Sequence, residues 1–564
     1  MIEGDPMEEK KIALTDEQRN ILDIASGGSP LVVEAYAGTG KTSTMKAVAA
    51  RCRSEGKTGL YFVYNAEMKK EAVERKFPID CKTVHGMGYS YTVGEGKMFS
   101  KDRIAQGSVP GFLVAEAIPI PESPFLGRMV SASRMASLAL STIKKFCYSA
   151  DDTLDIGHVC LDDYAKLVRA VIHEQRALME EAIRLKNLKI VPKYESTIRE
   201  CFHEEKELKK RVLEASFIVW GEMLKPQGKV PILHDVYLKK FVQGVSAGEY
   251  KLPKLDFVIL DEAQDSNQIT LKLMEEFLKN GTQPIAVGDT FQQIYAWRGA
   301  ENSLAQIEKW AGAKKAILSR SWRFGETIAD LTNRYMREYM DPSFSIKGNP
   351  AIKSSVGPVP MADGIVCRTN SGVLQALFSE LQNGRVPYIP KGREISKAID
   401  DIQLLRDGRK PKTPEFQIFR NHDEFSEFCQ TEEGKQMEML SKMIDSYGEE
   451  SLSEQLHLSG KNTEKSDVVI KTIHGWKGDE AASIKIHSDL PTGPQFTRSQ
   501  EEGRLGYVAI TRAMRVIDPS AWKILADLSP REAPATEFPS SGKTGEHTKK
   551  NHLIGKSSTN TLAL

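Results

Sequence analysis

The sequence predicts an α/β protein with two parallel sheets, because short apolar runs alternate with helix-like stretches in two separate parts of the chain. The first set of runs is Leu31–Val33, Leu60–Val63, Phe257–Leu260 and Ile285–Val287, and the second set is Gly364–Cys367, Val468–Ile470 and Tyr507–Ile510. Continuous apolar strands between helices are typical of a parallel sheet that is covered on both faces. At 564 residues the chain is also too long for one hydrophobic core.

Two stretches that interrupt this pattern predict how the chain is divided. Residues 90–232 and 393–465 have few strand signals and are rich in charged, helix-like sequence. We therefore expect a first core from 1–89 and 233–325, a helical insertion at 90–232, a second core from 326–392 and 466–529, a reduced insertion at 393–465, and a disordered tail at 530–564 that is rich in Ser, Thr, Lys and Gly.

Composition limits the class of protein but does not reveal its chemistry. The 77 basic and 76 acidic residues nearly cancel, which does not exclude nucleic acid, since a binding groove can be basic while the remaining surface is not. Seven scattered cysteines without a CxxC pair suit a reducing compartment. The charged N-terminus and the lack of a run of 18 apolar residues predict neither a secretion signal nor a membrane span. A cytoplasmic location, associated with the nucleoid if the source is bacterial, is the expectation.

A phosphate-binding loop is the first chemical signal. An apolar strand leads into Ala35-Tyr36-Ala37-Gly38-Thr39-Gly40-Lys41-Thr42, and a helix-like stretch follows. The glycines let backbone N–H groups surround phosphate oxygens at the positive end of the helix. Lys41 is expected to reach the β- and γ-phosphates, and Thr42 to ligate Mg²⁺. The alternative, a Gly-rich turn with an incidental Lys-Thr pair, is disfavoured by the strand before the loop and the helix after it.

An acidic segment is the second signal, because Asp261-Glu262-Ala263-Gln264-Asp265 directly follows a predicted strand. At the end of a strand beside the phosphate loop, Asp261 is expected to be the metal carboxylate. Glu262 is then placed to orient and deprotonate the attacking water. Alone, this segment could be a solvated acidic loop, but together the two motifs predict hydrolysis of a nucleoside triphosphate. They do not say what the hydrolysis drives.

Further segments, in the same order along the chain, resemble the UvrD/Rep/PcrA helicases of superfamily one, and more loosely the F-box DNA helicases, although no F-box segment is recognised. The resemblance runs from about residue 14 to 515 and is most specific at residues 287–300, a segment that P-loop switches and kinases lack. It implies two RecA-like cores, ATP and Mg²⁺ as cofactors, and 3′-to-5′ movement on single-stranded DNA in repair, recombination or replication. Junctions between single- and double-stranded DNA are the implied partners, and no protein partner is implied.

The resemblance also assigns roles position by position. Around the nucleotide it places Gln18 at the adenine edge, Gln292 as the sensor of the γ-phosphate, Trp322 as the adenine stack, Arg323 and Arg512 at the γ-phosphate, and Glu480 at the ribose. Along the DNA it places Asn65, Thr83, His85, Tyr295, Trp297, Arg298, Arg368, Thr472 and His474. Tyr295 and Trp297 would stack on bases, and core packing is the alternative for both. Arg323 and Arg512 are both expected on the second core, so that hydrolysis would depend on closure of the cleft.

Departures from the family leave alternatives open. Trp476 and Asp479 stand where the family usually has small apolar residues, which puts the DNA contact of the segment 471–480 in doubt. The second insertion is also shortened, to about 70 residues. Besides a helicase, the sequence therefore allows a DNA-stimulated translocase that removes bound proteins or serves a larger repair or anti-phage assembly without unwinding alone. A third alternative, a signalling switch that binds no nucleic acid, is disfavoured by the segments between residues 287 and 513.

Overall fold

The computed structural model describes residues 14–529 except 162, 295–302, 391, 414–415, 418, 431–433, 459–465 and 493–498. All described residues belong to one unit of the chain, residues 1–529. The predicted tail at 530–564 and the predicted DNA residues Tyr295, Trp297 and Arg298 lie outside the described residues.

The described strands form two six-stranded sheets and one hairpin. In chain order the strands are β1 (Leu31–Ala35), β2 (Gly59–Val63), β3 (Asp80–Thr83), β4 (Ser123–Phe125), β5 (Arg128–Val130), β6 (Phe257–Leu260), β7 (Gln283–Gly288), β8 (Lys314–Leu318), β9 (Ser355–Val356), β10 (Gly364–Cys367), β11 (Pro387–Tyr388), β12 (Val468–Thr472), β13 (Ala481–Ile486) and β14 (Ala513–Asp518).

Helices connect and cover these strands. In chain order they are α1 (Asp16–Ser26), α2 (Lys41–Ser54), α3 (Ala66–Glu74), α4 (Val84–Thr92), α5 (Gly111–Ala117), α6 (Ala132–Tyr148), α7 (Asp163–Arg184), α8 (Val191–Leu224), α9 (His234–Ser246), α10 (Gln268–Lys279), α11 (Ser303–Ile307), α12 (Glu326–Tyr339), α13 (Asn370–Gln382), α14 (Gly392–Arg406), α15 (His422–Cys429), α16 (Lys435–Tyr447), α17 (Glu449–Leu458), α18 (Ile473–Trp476), α19 (Gln500–Ile510) and α20 (Lys523–Leu528). No helix in the described ranges is both long and apolar enough to cross a membrane.

The first sheet has the strand order β3-β2-β6-β7-β1-β8, and all of its pairings are parallel. Strands β6 and β7 are buried along their whole length, as their continuous apolar sequences predict. Because β6, β7 and β1 are neighbours, the loops that follow them lie side by side at the carboxyl edge of the sheet. This edge brings together the phosphate loop, the acidic segment and residues 289–294.

The second sheet has the order β11-β12-β10-β13-β14-β9 and is also parallel throughout. The predicted fold class, α/β with two parallel-sheet cores, is therefore confirmed. The strands of the first sheet come from residues 31–83 and 257–318, and those of the second from 355–388 and 468–518. The exact domain boundaries stay a prediction.

One predicted strand of the second core is wrong. Residues Tyr507–Ile510 form the last turn of α19, and the strand is the next segment, β14. The hydroxyl of Ser499 accepts a hydrogen bond from the Glu502 N–H at the start of α19, which marks a helix. The apolar run is buried on every side, so it has no polar face that would reveal its period.

The two insertions are mainly helical, as expected, and they touch each other. The first includes the long pair α7 and α8 and also the antiparallel hairpin β4–β5, which the sequence pattern does not predict. The second contains α14 to α17 around an apolar core that takes in Phe112 from the first insertion. The rings of Phe112 and Phe419 lie 5.8 Å apart, and Arg420 forms an ion pair with Glu116.

Trp476, one of the departures from the family pattern, is a core residue of the second sheet. Its side chain is buried, and its ring N–H donates to the carbonyl of Ile365 at 2.9 Å. A Cβ atom placed on Gly364 would lie 2.6 Å from the Trp476 ring, so the glycine makes room for the indole. The large side chain at this position is thus explained by packing.

We predict that Trp476→Ala lowers the free energy of unfolding by about 3–5 kcal/mol, because it leaves a cavity and an unpaired carbonyl. Thermal or denaturant unfolding measures this loss. Phe202→Ala is the matched control, since Phe202 is 52% exposed. An equal loss in both variants would show that Trp476 is not a core residue.

Candidate functional site

The phosphate loop lies between β1 and α2 and has a backbone that only glycine adopts easily. Gly38 has φ +72° and Gly40 has φ +80°, both left-handed. The loop also touches the segment that follows β8: Trp322 N–H donates to the Gly38 carbonyl at 2.7 Å. A Cβ on Gly38 would lie 2.6 Å from both Arg323 Cβ and Ser321 Oγ, so the close approach requires glycine.

Lys41, at the start of α2, forms an ion pair with Glu262: its Nζ lies 3.0 Å from Glu262 Oε1. Burial alone would lower the pKa of Lys41, but the surrounding carboxylates, Glu262 first, hold it above its ordinary value. The same pairing outweighs burial at Glu262 and holds the pKa of its carboxyl low. Lys41 and Glu262 therefore compensate each other's charge at the start of α2.

The other expected carboxylate, Asp261, is buried beside Thr42. Both residues line one cavity of about 300 Å³, whose other walls come from α2, β2 and α3 and from Phe77. Burial and the nearby charge of Glu262 raise the pKa of Asp261, and the hydroxyl of Tyr61 donates to its carboxylate. The Tyr61 ring is held by Phe77, stacked at 4.1 Å. A hydroxyl and a buried carboxylate that share a cavity fit the oxygen ligands that Mg²⁺ prefers.

Outside this site, one cluster within the described ranges has ligand atoms close enough to hold a metal ion: Cys367, His487 and Asp489. The Asp489 carboxylate already accepts hydrogen bonds from the N–H groups of Arg368 and Thr369 and from the Thr369 hydroxyl. Burial holds the Cys367 pKa well above its ordinary value, which disfavours the thiolate that a metal needs. The cluster fits a structural role better than a metal centre.

Residues 289–294, after β7, form a large part of the contact between the two cores. Second-core side chains lie along this segment: Tyr507 donates to Asp289 at 2.9 Å, Lys477 donates to the Gln292 carbonyl at 2.9 Å, Arg504 donates to Gln293 at 3.0 Å, and His474 lies 3.2 Å from the Ile294 carbonyl. Lys477 also pairs with Asp265, whose pKa is raised to about 6 by burial. Gln292, the expected phosphate sensor, is buried, with its amide donating to Asp289 at 2.7 Å.

The expectation that both arginines lie on the second core is wrong for Arg323. It follows β8, which pairs with β1 in the first sheet. Its side chain reaches across to the second core, where it pairs with Glu480 and donates to the Thr511 carbonyl at 2.9 Å. Arg323 thus touches both the phosphate loop and the opposite core.

Arg512 does lie on the second core, but its guanidinium points to backbone carbonyls of that core. It donates to Val508 at 2.9 Å and to Asp479 at 3.2 Å and is fully buried. Burial, followed by repulsion from Arg323, lowers the pKa of Arg512. The described contacts do not bring Arg512 to the phosphate loop itself.

Trp322 and Gln18, the two residues expected to contact adenine, differ in how exposed their side chains are. Trp322 is 43% exposed, and its ring edge stands beside Gly40. Gln18 is buried, with its amide oxygen accepting from Thr15 N–H at 3.0 Å and its amide nitrogen donating to Thr44 at 3.1 Å. Glu480, the expected ribose contact, is held by Arg323 in this state.

The expected DNA residues repeat one local structure in both cores. In Thr83–Gly86 and in Thr472–Gly475 a threonine at a strand end caps a short helix, accepting from the N–H three residues later at 2.9 and 3.2 Å. His85 pairs with Asp235 at 3.0 Å. Burial, then Arg368, lowers the pKa of His474, which keeps that ring neutral. The repeat indicates equivalent positions on the two cores.

Two further expected DNA residues are engaged within the protein. Asn65 caps α3, with its side chain accepting from Met68 N–H at 2.8 Å. Arg368 forms a two-pronged pair with Glu502, at 3.0 Å from Nε and 2.6 Å from Nη2. DNA binding at these residues stays a prediction, as do the contacts of Tyr295, Trp297 and Arg298, which fall outside the described ranges.

Sequence reasoning missed several residues of the site. Lys477 and Tyr507 lie inside segments that the family resemblance covers, so their position was a signal that went unused. Tyr61 lies in the middle of an apolar strand, where a buried tyrosine is ordinary, and no sequence signal distinguishes it. Gln264 stands in the acidic segment, and its link to Glu262 is visible only in the structure.

Two protein-family models and several known helicases resemble this chain. A model of the UvrD/REP helicase N-terminal domain matches residues 68–309, and a model of an AAA domain matches residues 13–117. The chain is also homologous to F-box DNA helicases: F-box DNA helicase protein 1 of Schizosaccharomyces pombe is 25% identical over 550 residues, which cover 89% of this chain and 57% of the relative.

Other homologues agree with this UvrD/REP relationship. F-box DNA helicase 1 of Gallus gallus is 24% identical over 560 residues, 90% of this chain and 49% of the relative. The ATP-dependent DNA helicase PcrA of Staphylococcus epidermidis is 31% identical over 91 residues, 16% of this chain and 12% of the relative. The chain spans about half the length of the F-box relatives that it matches. The suspected UvrD-like resemblance is confirmed.

We predict that Gly38→Ala weakens nucleotide binding by tenfold or more, at about 1.4 kcal/mol per factor of ten. The added methyl group collides with Ser321 and Arg323 as well as straining the backbone. A fluorescent nucleotide titration measures the effect. Gly28→Ala is the matched control, since Gly28 has φ +79° with nothing within 4 Å of its Cβ position. If both variants bind nucleotide equally, the contact between the loop and the Ser321–Arg323 segment is not needed.

Proposed function

We propose that this chain is an ATP-dependent DNA helicase that moves 3′-to-5′ along single-stranded DNA and uses hydrolysis to separate a duplex. The observation that carries the proposal is the position of the segment 289–294. The phosphate loop lies on one side of this segment, and side chains of the second core contact it on the other. A P-loop switch needs no such contact between two parallel-sheet cores. The homology to DNA helicases supports DNA as the substrate, and the polarity rests on the family resemblance.

The nucleotide chemistry follows from the residues around the phosphate loop. Mg²⁺, held by Thr42 and Asp261, would neutralise charge on the β- and γ-phosphates of ATP. Lys41 binds the same phosphates and thereby leaves Glu262. Glu262 then takes a proton from the attacking water. Arg323 and Arg512 supply the positive charge that stabilises the transition state, which is worth several kcal/mol in a site that excludes water.

Movement follows from the contacts between the cores. Arg323 pairs with Glu480 across the cleft, and Lys477 joins Asp265 to the Gln292 carbonyl. Phosphate charge that arrives between the cores competes for Arg323 and draws the cores together, and its release lets them part. Because Thr83–Gly86 and Thr472–Gly475 lie on opposite cores, such motion would change the spacing of two grips on one strand.

A second candidate is a DNA-stimulated translocase that displaces bound proteins, or acts in a larger repair or anti-phage assembly, without unwinding DNA alone. The observation that favours it is the small second insertion, in which the described helices span only residues 392–458. Its core is joined to the first insertion through Phe112, so less surface is left to engage a duplex.

The deciding experiment measures ATPase and unwinding together on 3′-tailed, 5′-tailed and RNA substrates. Stimulation by single-stranded DNA with unwinding of the 3′-tailed duplex supports the helicase. Stimulation without unwinding, but with removal of a bound protein from single-stranded DNA, supports the translocase. An ATPase that is indifferent to every nucleic acid would overturn both.

We predict that Glu262→Gln keeps ATP affinity or increases it, because it removes the carboxylate that occupies Lys41, while turnover falls by about a hundredfold or more. Nucleotide titration and phosphate release measure the two effects separately. Glu55→Gln, which removes an exposed partner of Arg51 and Lys57 on the same core, is the control. Loss of ATP binding in Glu262→Gln would contradict the role of Glu262 as the base.

Trp297→Ala tests coupling to DNA. Loss of a stacking face worth roughly 1–3 kcal/mol should weaken single-strand binding by about ten- to a hundredfold, and unwinding at least as much. ATPase activity without DNA should stay within a few-fold of normal. Fluorescence anisotropy with labelled single strands measures the affinity. Unchanged DNA binding together with a lower melting temperature would assign Trp297 to the core.

A further inference from the structure

Tyr507, on α19 of the second core, bridges two parts of the first core through one hydroxyl group. The hydroxyl accepts a hydrogen bond from the Ala37 N–H of the phosphate loop at 2.9 Å. It also donates to Asp289 Oδ2 at 2.9 Å. All three residues are buried, so neither bond can be exchanged for one to bulk water.

The bridge continues to the residues expected to act on the nucleotide. Asp289 Oδ2 also accepts from the Gln292 amide at 2.7 Å. The Asp289 N–H donates to the Gln264 side chain at 3.1 Å, and the Gln264 amide in turn donates to Glu262. One chain of hydrogen bonds therefore runs from the phosphate loop through the opposite core to both the sensor and the base.

Aromatic packing holds the Tyr507 hydroxyl in place. The Tyr507 ring meets Phe344 of its own side at 5.7 Å and Phe291 of the first core at 6.1 Å, both edge-on. Tyr36 of the phosphate loop completes the group, 4.5 Å from Phe344. The ring is thus clamped between the cores, and separation of the cores would withdraw the hydroxyl from both of its partners together.

We propose that Tyr507 is a positioning residue that makes the alignment of Glu262 and Gln292 depend on closure of the cores. With the cores together, its hydroxyl fixes Asp289 and, through it, the sensor and the base. With the cores apart, Asp289 loses a donor and the loop N–H loses its acceptor. This inference rests on the proposed function, since it assigns a role within that hydrolysis.

The test is Tyr507→Phe, which keeps the ring and removes only the hydroxyl. Tyr335→Phe is the matched control: Tyr335 is also fully buried, packs against α19, and donates to the Gly503 carbonyl at 3.0 Å, a bond that lies within the second core. Both variants lose one buried hydroxyl, so both are expected to lose similar thermal stability. They differ in whether the lost bonds cross between the cores.

Loss of a hydrogen bond to a charged group should lower the DNA-stimulated kcat of Tyr507→Phe by about ten- to a hundredfold. The KM for ATP and the Kd for single-stranded DNA should stay within about threefold of the wild-type values, since Lys41, Thr42 and the expected DNA residues are unchanged. Tyr335→Phe should keep kcat within the same narrow range. Combined with Asp289→Asn, Tyr507→Phe should lower kcat by less than the product of the two single effects, because both act on one network.

Amide hydrogen exchange without nucleotide gives a readout that does not depend on hydrolysis. Peptides that cover residues 35–40 and 289–294 should exchange faster in Tyr507→Phe than in the wild type. In Tyr335→Phe their exchange rates should equal those of the wild type. Equal kcat losses in the two variants, or normal kcat and exchange in Tyr507→Phe, would overturn the positioning role. If the wild-type protein shows no DNA-stimulated ATPase, the proposed function is overturned. The hydrogen-bond bridge of Tyr507 still stands in that case if the two peptides exchange faster in Tyr507→Phe than in the wild type.

Discussion

The buried carboxylate of Asp289 is the group on which the contact between the two cores depends. A carboxylate without access to water has to be compensated by hydrogen bonds, and its donors come from the Phe291 N–H, the Gln292 amide and Tyr507 of the opposite core. Burial raises the pKa of Asp289 to about 7, so the hydrogen bonds only partly offset the free-energy cost of burying its charge. Anything that separates the cores removes one of these donors, and this ties the position of the second core to the loops of the first.

The same principle explains the arrangement around the phosphate loop. The first sheet places the ends of β1, β6 and β7 side by side, which concentrates charged groups where ATP would bind. These groups compensate one another: Lys41 pairs with Glu262, and the Tyr61 hydroxyl donates to Asp261. Such pairs are strong because they are buried, yet a polyphosphate with its cation carries more charge than either partner.

Prediction succeeded where a residue's role follows from its immediate neighbours in the chain. The strand before the phosphate loop and the helix that starts at Lys41 were predictable from apolar runs and glycines, and so was the parallel character of both sheets. Prediction failed where local pattern was ambiguous. Tyr507–Ile510 is apolar on all sides and reads equally as strand or helix. The sequence also gives no reason for the large side chain of Trp476, which fills space above Gly364, a packing relation between residues 112 positions apart in the chain.

By itself the sequence determined where the phosphate loop and the acidic segment of the first core lie, since each directly follows the end of a strand. It also carried the family relationship across both cores. The pairing of side chains between the cores depended on tertiary structure: Tyr507 with Ala37 and Asp289, and Lys477 with Asp265. These partners are separated by more than 200 residues, and no periodicity or motif spacing relates positions that meet only when two independently formed sheets pack together.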